Sequence, residues 1–208
     1  MYAIASKRAI FAVRALALAL WVASLAPAHA QSPQTKPRAS VAGQFLIATP
    51  AMRDPRFDRA VILMLRHDQD GAFGIVINRP AGQRPLADLL GTKDTAAAGN
   101  VQVFVGGPVQ PNIGFVVHST EYHRAETLDV DGRVAMTSSL EVLRDIAEKK
   151  GPAKALIAFG YAGWGPGQLD GELARNVWYT APEDPALVFD DDRDKVWEYA
   201  AGRRTQDL

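Results

Sequence analysis

The chain has 208 residues, 48% of them hydrophobic and 22% charged, a balance that excludes disordered and fibrous classes and predicts a packed core. Its 23 basic residues are matched by 23 acidic ones, and it has no cysteine. Neutrality removes the basic footprint that phosphate-backbone binding needs, and the missing thiols exclude disulfides, thiol catalysis and cysteine-ligated zinc.

Lys7, Arg8 and Arg14 precede an uncharged apolar run at 15–26 (ALALALWVASLA), and Ala28 and Ala30 follow at A-x-A spacing. A basic start, a short apolar stretch and a small-residue cleavage pattern describe an export signal. The run is shorter than the roughly 20 residues a bilayer span needs. Residues 1–30 are therefore expected to be a signal peptide cleaved after Ala30, which makes the protein periplasmic or secreted. The alternative is a misassigned start site and a cytoplasmic protein. Cleavage removes three basic residues and no acidic one, so no nucleic acid is expected as a partner, and no stable membrane span should remain. Residues 31–42 (QSPQTKPRASVA) lack an apolar period and read as a flexible leader. Residues 43–204 are expected to form one domain.

Within that domain, the apolar run at 45–48 stops before Pro50, as a buried strand entering a loop would. The run at 60–67 is continuously apolar at Val61-Ile62-Leu63-Met64-Leu65, a strand covered on both faces, and Gly71 turns it into a returning strand at 73–78. Pro85 opens a short helix that ends at Gly91, and 92–100 is a loop. Strands are predicted at 101–105 and 113–118, with Gly106 to Pro111 as the turn between them. Asp131-Gly132 centres a further hairpin. Ser138 and Glu141 have capping-box spacing, Leu140, Leu143, Ile146 and Ala147 repeat at helical spacing, and Gly151-Pro152 ends the helix. A buried strand at 155–159 then leads into the glycine-rich stretch 160–167. A helix at 168–175, a strand at 177–180, an apolar run at 186–189 and a last helix through Val196, Trp197 and Ala200 complete the chain, with Asp190-Asp191-Asp192 as an N-cap. Early hairpins and later strand–helix alternation predict an α/β (mixed α+β) fold, a mixed and mostly antiparallel sheet with helices packed on it.

Several of these segments, in order, resemble the YqgE/AlgH family over residues 43–200. They are Gln44-Phe45-Leu46-Ile47-Ala48-Thr49-Pro50, His67-Asp68, Asn78-Arg79-Pro80, Gly106-Gly107-Pro108-Val109 and Gly160-Tyr161-Ala162-Gly163-Trp164 with Gly167-Gln168-Leu169. The resemblance implies a mixed α/β fold and no established activity, together with a suggested role in regulating alginate synthesis genes. An export signal and the absence of cysteine both depart from the family pattern. Export would exclude direct control of transcription, and thiol chemistry cannot operate here.

The residues most suggestive of a site are the glycines at strand ends. Gly160, Gly163 and Gly165, with Trp164 among them, lie between a buried strand and a helix, where free amides could meet an anion; the alternative is a tight turn that packs Tyr161 and Trp164. Gly106 and Gly107 invite the same reading, and Arg79 could fork a carboxylate or phosphate beside them. Neither the dinucleotide nor the phosphate-loop fingerprint is present. His67-Asp68 and His118-Ser119 suggest a triad only superficially, because neighbours on a strand point to opposite faces and there is no G-x-S-x-G elbow. No metal and no cofactor is expected. The leading expectation is an exported, non-enzymatic module that binds a small molecule or a peptide in a glycine-lined cleft. The alternatives are an enzyme of unidentified type in the same cleft and an accessory in transcriptional regulation.

Overall fold

In β1 (Gln44–Ala48) and β2 (Val61–Asp68), successive side chains enter two different cores. Phe45, Ile47, Val61 and Leu63 join one cluster, while Leu46, Ala48, Ile62 and Met64 join another. A strand covered on both faces has no polar side, which is why these segments are continuously apolar. The computed structural model describes residues 39–92, 99–189 and 192–205, so the expected signal peptide at 1–30 and most of the leader at 31–42 lie outside the described residues. The leader's last residues are described: Val41 is buried in the second cluster, and the Ser40 hydroxyl donates to the His67 carbonyl at 2.8 Å.

The chain continues through β3 (Gly71–Val76), β4 (Pro80–Pro85), α1 (Leu86–Leu90), β5 (Asn100–Val105), β6 (Val109–Ser119), β7 (Leu128–Asp129), β8 (Val134–Thr137) and α2 (Glu141–Ala147). It ends with β9 (Ala155–Trp164), α3 (Gln168–Ala174), β10 (Trp178–Pro182), α4 (Pro185–Phe189) and α5 (Val196–Gly202). Among the described residues the ten strands form one sheet in the order β10-β1-β2-β3-β9-β6-β8-β7, with β5 beside β9 and β4 beside β5. Only the β5–β9 pair is parallel, so the fold is the mixed, mostly antiparallel α+β class that the sequence predicts. Buried residues of α4 and α5 join the first cluster, Leu169 and Leu173 of α3 the second, and α1 and α2 a third.

Four local expectations, at β6, β9, α2 and α5, are corrected, and one strand, β4, was not expected at all. Pro80–Pro85 pairs with β5 as a strand although every residue in it is exposed, so it carries no apolar signature. β6 begins at Val109, inside the expected turn, and β9 runs on through Trp164, so that half of the expected glycine loop is strand. Leu140 and not Ser138 holds the N-cap position of α2, and the Ser139 hydroxyl accepts from the Glu141 amide at 3.1 Å. Lys195 holds the N-cap position of α5; of the acidic run, 190–191 lie outside the described residues.

The placement of β9 organises the rest. Its first half, at Ile157 to Phe159, has β5 as neighbour, and its second half, at Ala162 to Trp164, has β3. Gly160 sits where the neighbour changes and takes φ +74°, a conformation that side chains with a Cβ resist.

Candidate functional site

At that switch point the glycines bring main chain against main chain. The Gly106 amide donates to the Phe159 carbonyl at 2.8 Å, and the Gly106 carbonyl accepts from the Val76 amide at 2.8 Å. A Cβ on Gly106 would run into the Gly160 carbonyl, one on Gly107 into the Tyr161 backbone, and one on Gly160 into the Gly107 carbonyl. These three glycines thus permit a close backbone crossing and hold no open cradle. Arg79 reaches this junction with its main chain, whose carbonyl accepts from the Val105 amide at 2.9 Å, but its guanidinium is taken by the Asp58 carbonyl. The shared hollow expected for Arg79, Gly106, Gly107 and Gly160 is therefore not formed. Gly165 donates its amide to the Gln168 side chain at 3.2 Å.

Gly163 and Trp164 do reach a hollow. A cleft of about 610 Å³ lies where the loop after β1 faces α3, with Pro108 and Val109 also on its wall. This volume is within the range of small-molecule sites. The loop and the end of α3 are fastened together, since the Thr49 hydroxyl donates to the Asn176 carbonyl at 2.8 Å and the Thr49 amide donates to the Val177 carbonyl at 3.1 Å.

The cleft's aromatic floor is held by one carboxylate. Trp164 and Trp178 both donate their indole N–H to Oε2 of Glu172, at 2.9 and 2.8 Å, and Gln168 donates to Oε1 at 3.1 Å. The two indoles meet edge to face with centroids 6.1 Å apart, and Phe57 stands edge-on to Trp178 at 5.6 Å. Helical spacing explains how α3 supplies both core and cleft: Leu169 and Leu173 face the sheet, while Gln168, Glu172 and Arg175, at i, i+4 and i+7, line the cleft. With both indole donors occupied, the two rings add apolar atoms to a lining that also carries Gln168 and Glu172.

The rim is basic. Arg53, Arg56 and Arg175 line the cleft with Asp54 and Glu172 as its carboxylates. Arg56 is bonded to Asp54, with Nη2 2.7 Å from Oδ2, and its hydrogen bonds hold the Asp54 carboxyl below its ordinary range. Among the described residues the side chains of Arg53 and Arg175 make no hydrogen bond or ion pair, so two guanidinium groups remain available to an anion. Composition and spacing single out Trp164 but not these partners. The usable signal was the Gln168–Glu172–Arg175 stripe opposite Leu169 and Leu173.

The described histidines do not assemble a triad. The His118 side chain is buried, and its ring nitrogens lie 2.9 Å from the Ser119 carbonyl and 2.9 Å from the Thr137 hydroxyl. Burial lowers its pKa, against smaller opposing effects from the Ser119 carbonyl and Glu121. His67 accepts the Val41 amide on Nδ1 at 3.2 Å and faces Asp170 from Nε2 at 3.5 Å, which fastens the segment before β1 to α3.

A family model described as AlgH-like matches residues 45–208. A UPF0301 protein of Rhodospirillum rubrum is 46% identical over 164 residues, covering 77% of this chain and 85% of its own length. A UPF0301 protein of Methylococcus capsulatus is 44% identical, covering 78% and 90%. The solution structure of the AlgH protein from Pseudomonas aeruginosa superposes with a TM-score of 0.70 at 39% identity, covering 82% of this chain and 92% of that one. A crystal structure of a protein from Corynebacterium diphtheriae, at 21% identity, TM-score 0.63 and coverage of 83% and 91%, shares the fold alone.

Proposed function

The chain belongs to the AlgH-like family, whose biochemical function is not established, and from that premise we propose that it is a binding module whose ligand occupies the cleft between the loop after β1 and α3. The ligand is a small molecule or peptide end that combines a flat apolar part with a carboxylate or phosphate. One observation carries this reading: Glu172 takes both indole N–H groups, so the two rings add apolar atoms to the lining beside the unpaired side chains of Arg53 and Arg175. Such a site positions an anion without supplying a nucleophile and base in hydrogen-bond reach of each other, so binding is favoured over turnover. Export through residues 1–30 belongs to the same proposal.

The experiment starts from the protein as the cell releases it. Its mass should correspond to a chain beginning at Gln31; a chain that retains residues 1–30 refutes export. Thermal shift against a panel of aromatic carboxylates and phosphates should then find compounds that stabilise it. Occupancy at a hundredfold excess over Kd contributes about 2.7 kcal/mol, a rise of several degrees for a domain of this size. The rise should be lost in Arg175→Ala and kept in Arg79→Ala. The opposite pattern would remove the cleft from consideration.

A further inference from the structure

We propose that the two ends of the curled sheet are fastened by a proton-dependent latch, in which Glu183, directly after β10, shares a proton with Asp131, in the turn after β7, beside Arg133. The two strands concerned are the opposite ends of the sheet order, yet their following residues meet, and Val134 and Ala181 share one core cluster. Gly43, at the start of β1, sits against this junction, where a Cβ would come within 3.1 Å of the Asp131 Cβ. A groove of about 600 Å³ runs along the seam, lined by Gly43, Gln44, Asp131, Arg133 and Pro182 among others.

The geometry identifies the proton. The Glu183 side chain has no exposure, and neither of its oxygens accepts a hydrogen bond from any described donor. Arg133 Nη2 lies 3.0 Å from Oε2 but is not aimed along a hydrogen bond, and its side chain is 51% exposed, so its charge is partly screened. Asp131 is the opposite case: it accepts from the Arg133 amide at 3.0 Å, from the Arg133 guanidinium at 2.7 Å and from the Val134 amide at 3.3 Å. Arg133 Nη2, 2.7 Å from Asp131 Oδ2 and 3.0 Å from Glu183 Oε2, brings the two carboxyls together around one nitrogen. A buried, acceptor-only carboxylate against a second carboxylate is costly, and a Glu183 hydroxyl donating to ionised Asp131 satisfies both.

The charged groups around Glu183 agree. Burial first, then the hydrogen bond to Asp131 and the charges of Asp131 and Asp184, push Glu183 up to about 8, against the opposing charge of Arg133. Burial also pushes Asp131 up, but hydrogen bonds from Glu183, Arg133 and Val134 outweigh it and hold that carboxyl below its ordinary value. Asp184 is itself paired with Arg203 at the end of α5. The proton on Glu183 therefore supports the fold fully below its ordinary value of 4.5, and this support is lost as pH rises from there through about 8. Loss of the proton leaves the buried Glu183 carboxylate facing the partly buried Asp131 carboxylate, and the seam between β10 and the β7–β8 turn loosens.

The test uses the full chain. Carbon-detected NMR titration of the Glu183 carboxyl should place its midpoint far above that of an ordinary glutamate. Hydrogen-exchange protection of the Val130 and Val134 amides, corrected for intrinsic rates, should fall about tenfold between pH 7 and 9 in the natural chain. It should stay level in Glu183→Gln, which can donate to Asp131 at every pH. A Glu183 midpoint near 4.5, or the same loss of protection in Glu183→Gln, overturns the latch. Should Glu183→Gln fail to fold, the titration of the natural chain decides alone.

Discussion

Glu172 has the clearest single-residue consequence. Its Oε2 is the acceptor for both Trp164 and Trp178, and both indoles are largely buried. Glu172→Ala strands two donors, each costing about 1–3 kcal/mol when desolvated, so chemical denaturation should show a loss of at least about 2 kcal/mol. Glu172→Gln keeps a carbonyl acceptor and should recover much of it. Equal loss in both variants would show that the carboxylate's charge, and not its acceptor geometry, matters. At this scale the sequence was only half legible. Trp164 stands out because a tryptophan among glycines has few reasons to be there, whereas Glu172 reads as an ordinary helix carboxylate until Trp178 folds back beside it. Arg79 misled for the converse reason: an arginine beside a turn bonded to the backbone carbonyl of Asp58, a common fate that spacing does not separate from ligand binding.

At the scale of elements, β9 determines what the glycines do. Gly160 allows the strand to change neighbours from β5 to β3, and Gly107 allows the connection from β5 to β6 to cross it closely. Gly107→Ala adds a methyl where the Tyr161 backbone already lies, at φ +154° in the natural chain, and should destabilise by about 2 kcal/mol or more. Gly165→Ala meets open space and should change stability by less than about 0.5 kcal/mol. Thermal melts of the two variants compare them directly, and similar losses in both would refute the crossing argument. Elements that bury a face were readable: β1, β2, α2 and α3 show their cores as runs or helical periods. β4 was not, because its pairing engages its main chain and all its side chains are exposed. The length of β9 was hidden for a related reason, since glycines inside a strand look the same in sequence as glycines after one.

The described domain is a sheet curled far enough for the residues that follow its two end strands to meet, with separate cores on its two faces. The fold class was legible because alternation and turn chemistry are local. The cleft was not, because it assembles the loop after β1, the connection before β6, the end of β9 and α3 from distant parts of the chain. The latch and the cleft also lie on different linings: Trp178 borders both hollows, but Asp131 and Arg133 border only the seam, and Arg53 and Arg175 only the cleft. The two proposals can therefore fail independently. The most direct measurement of the central claim follows the indole N–H signals of Trp164, Trp178 and Trp197 by nitrogen-edited NMR while an aromatic carboxylate series is titrated in. A ligand in the cleft shifts Trp164 and Trp178 together and leaves Trp197, which is bonded to the Ala48 carbonyl at 3.0 Å, in place. Compounds that bind while the Trp164 and Trp178 signals stay fixed would contradict the account.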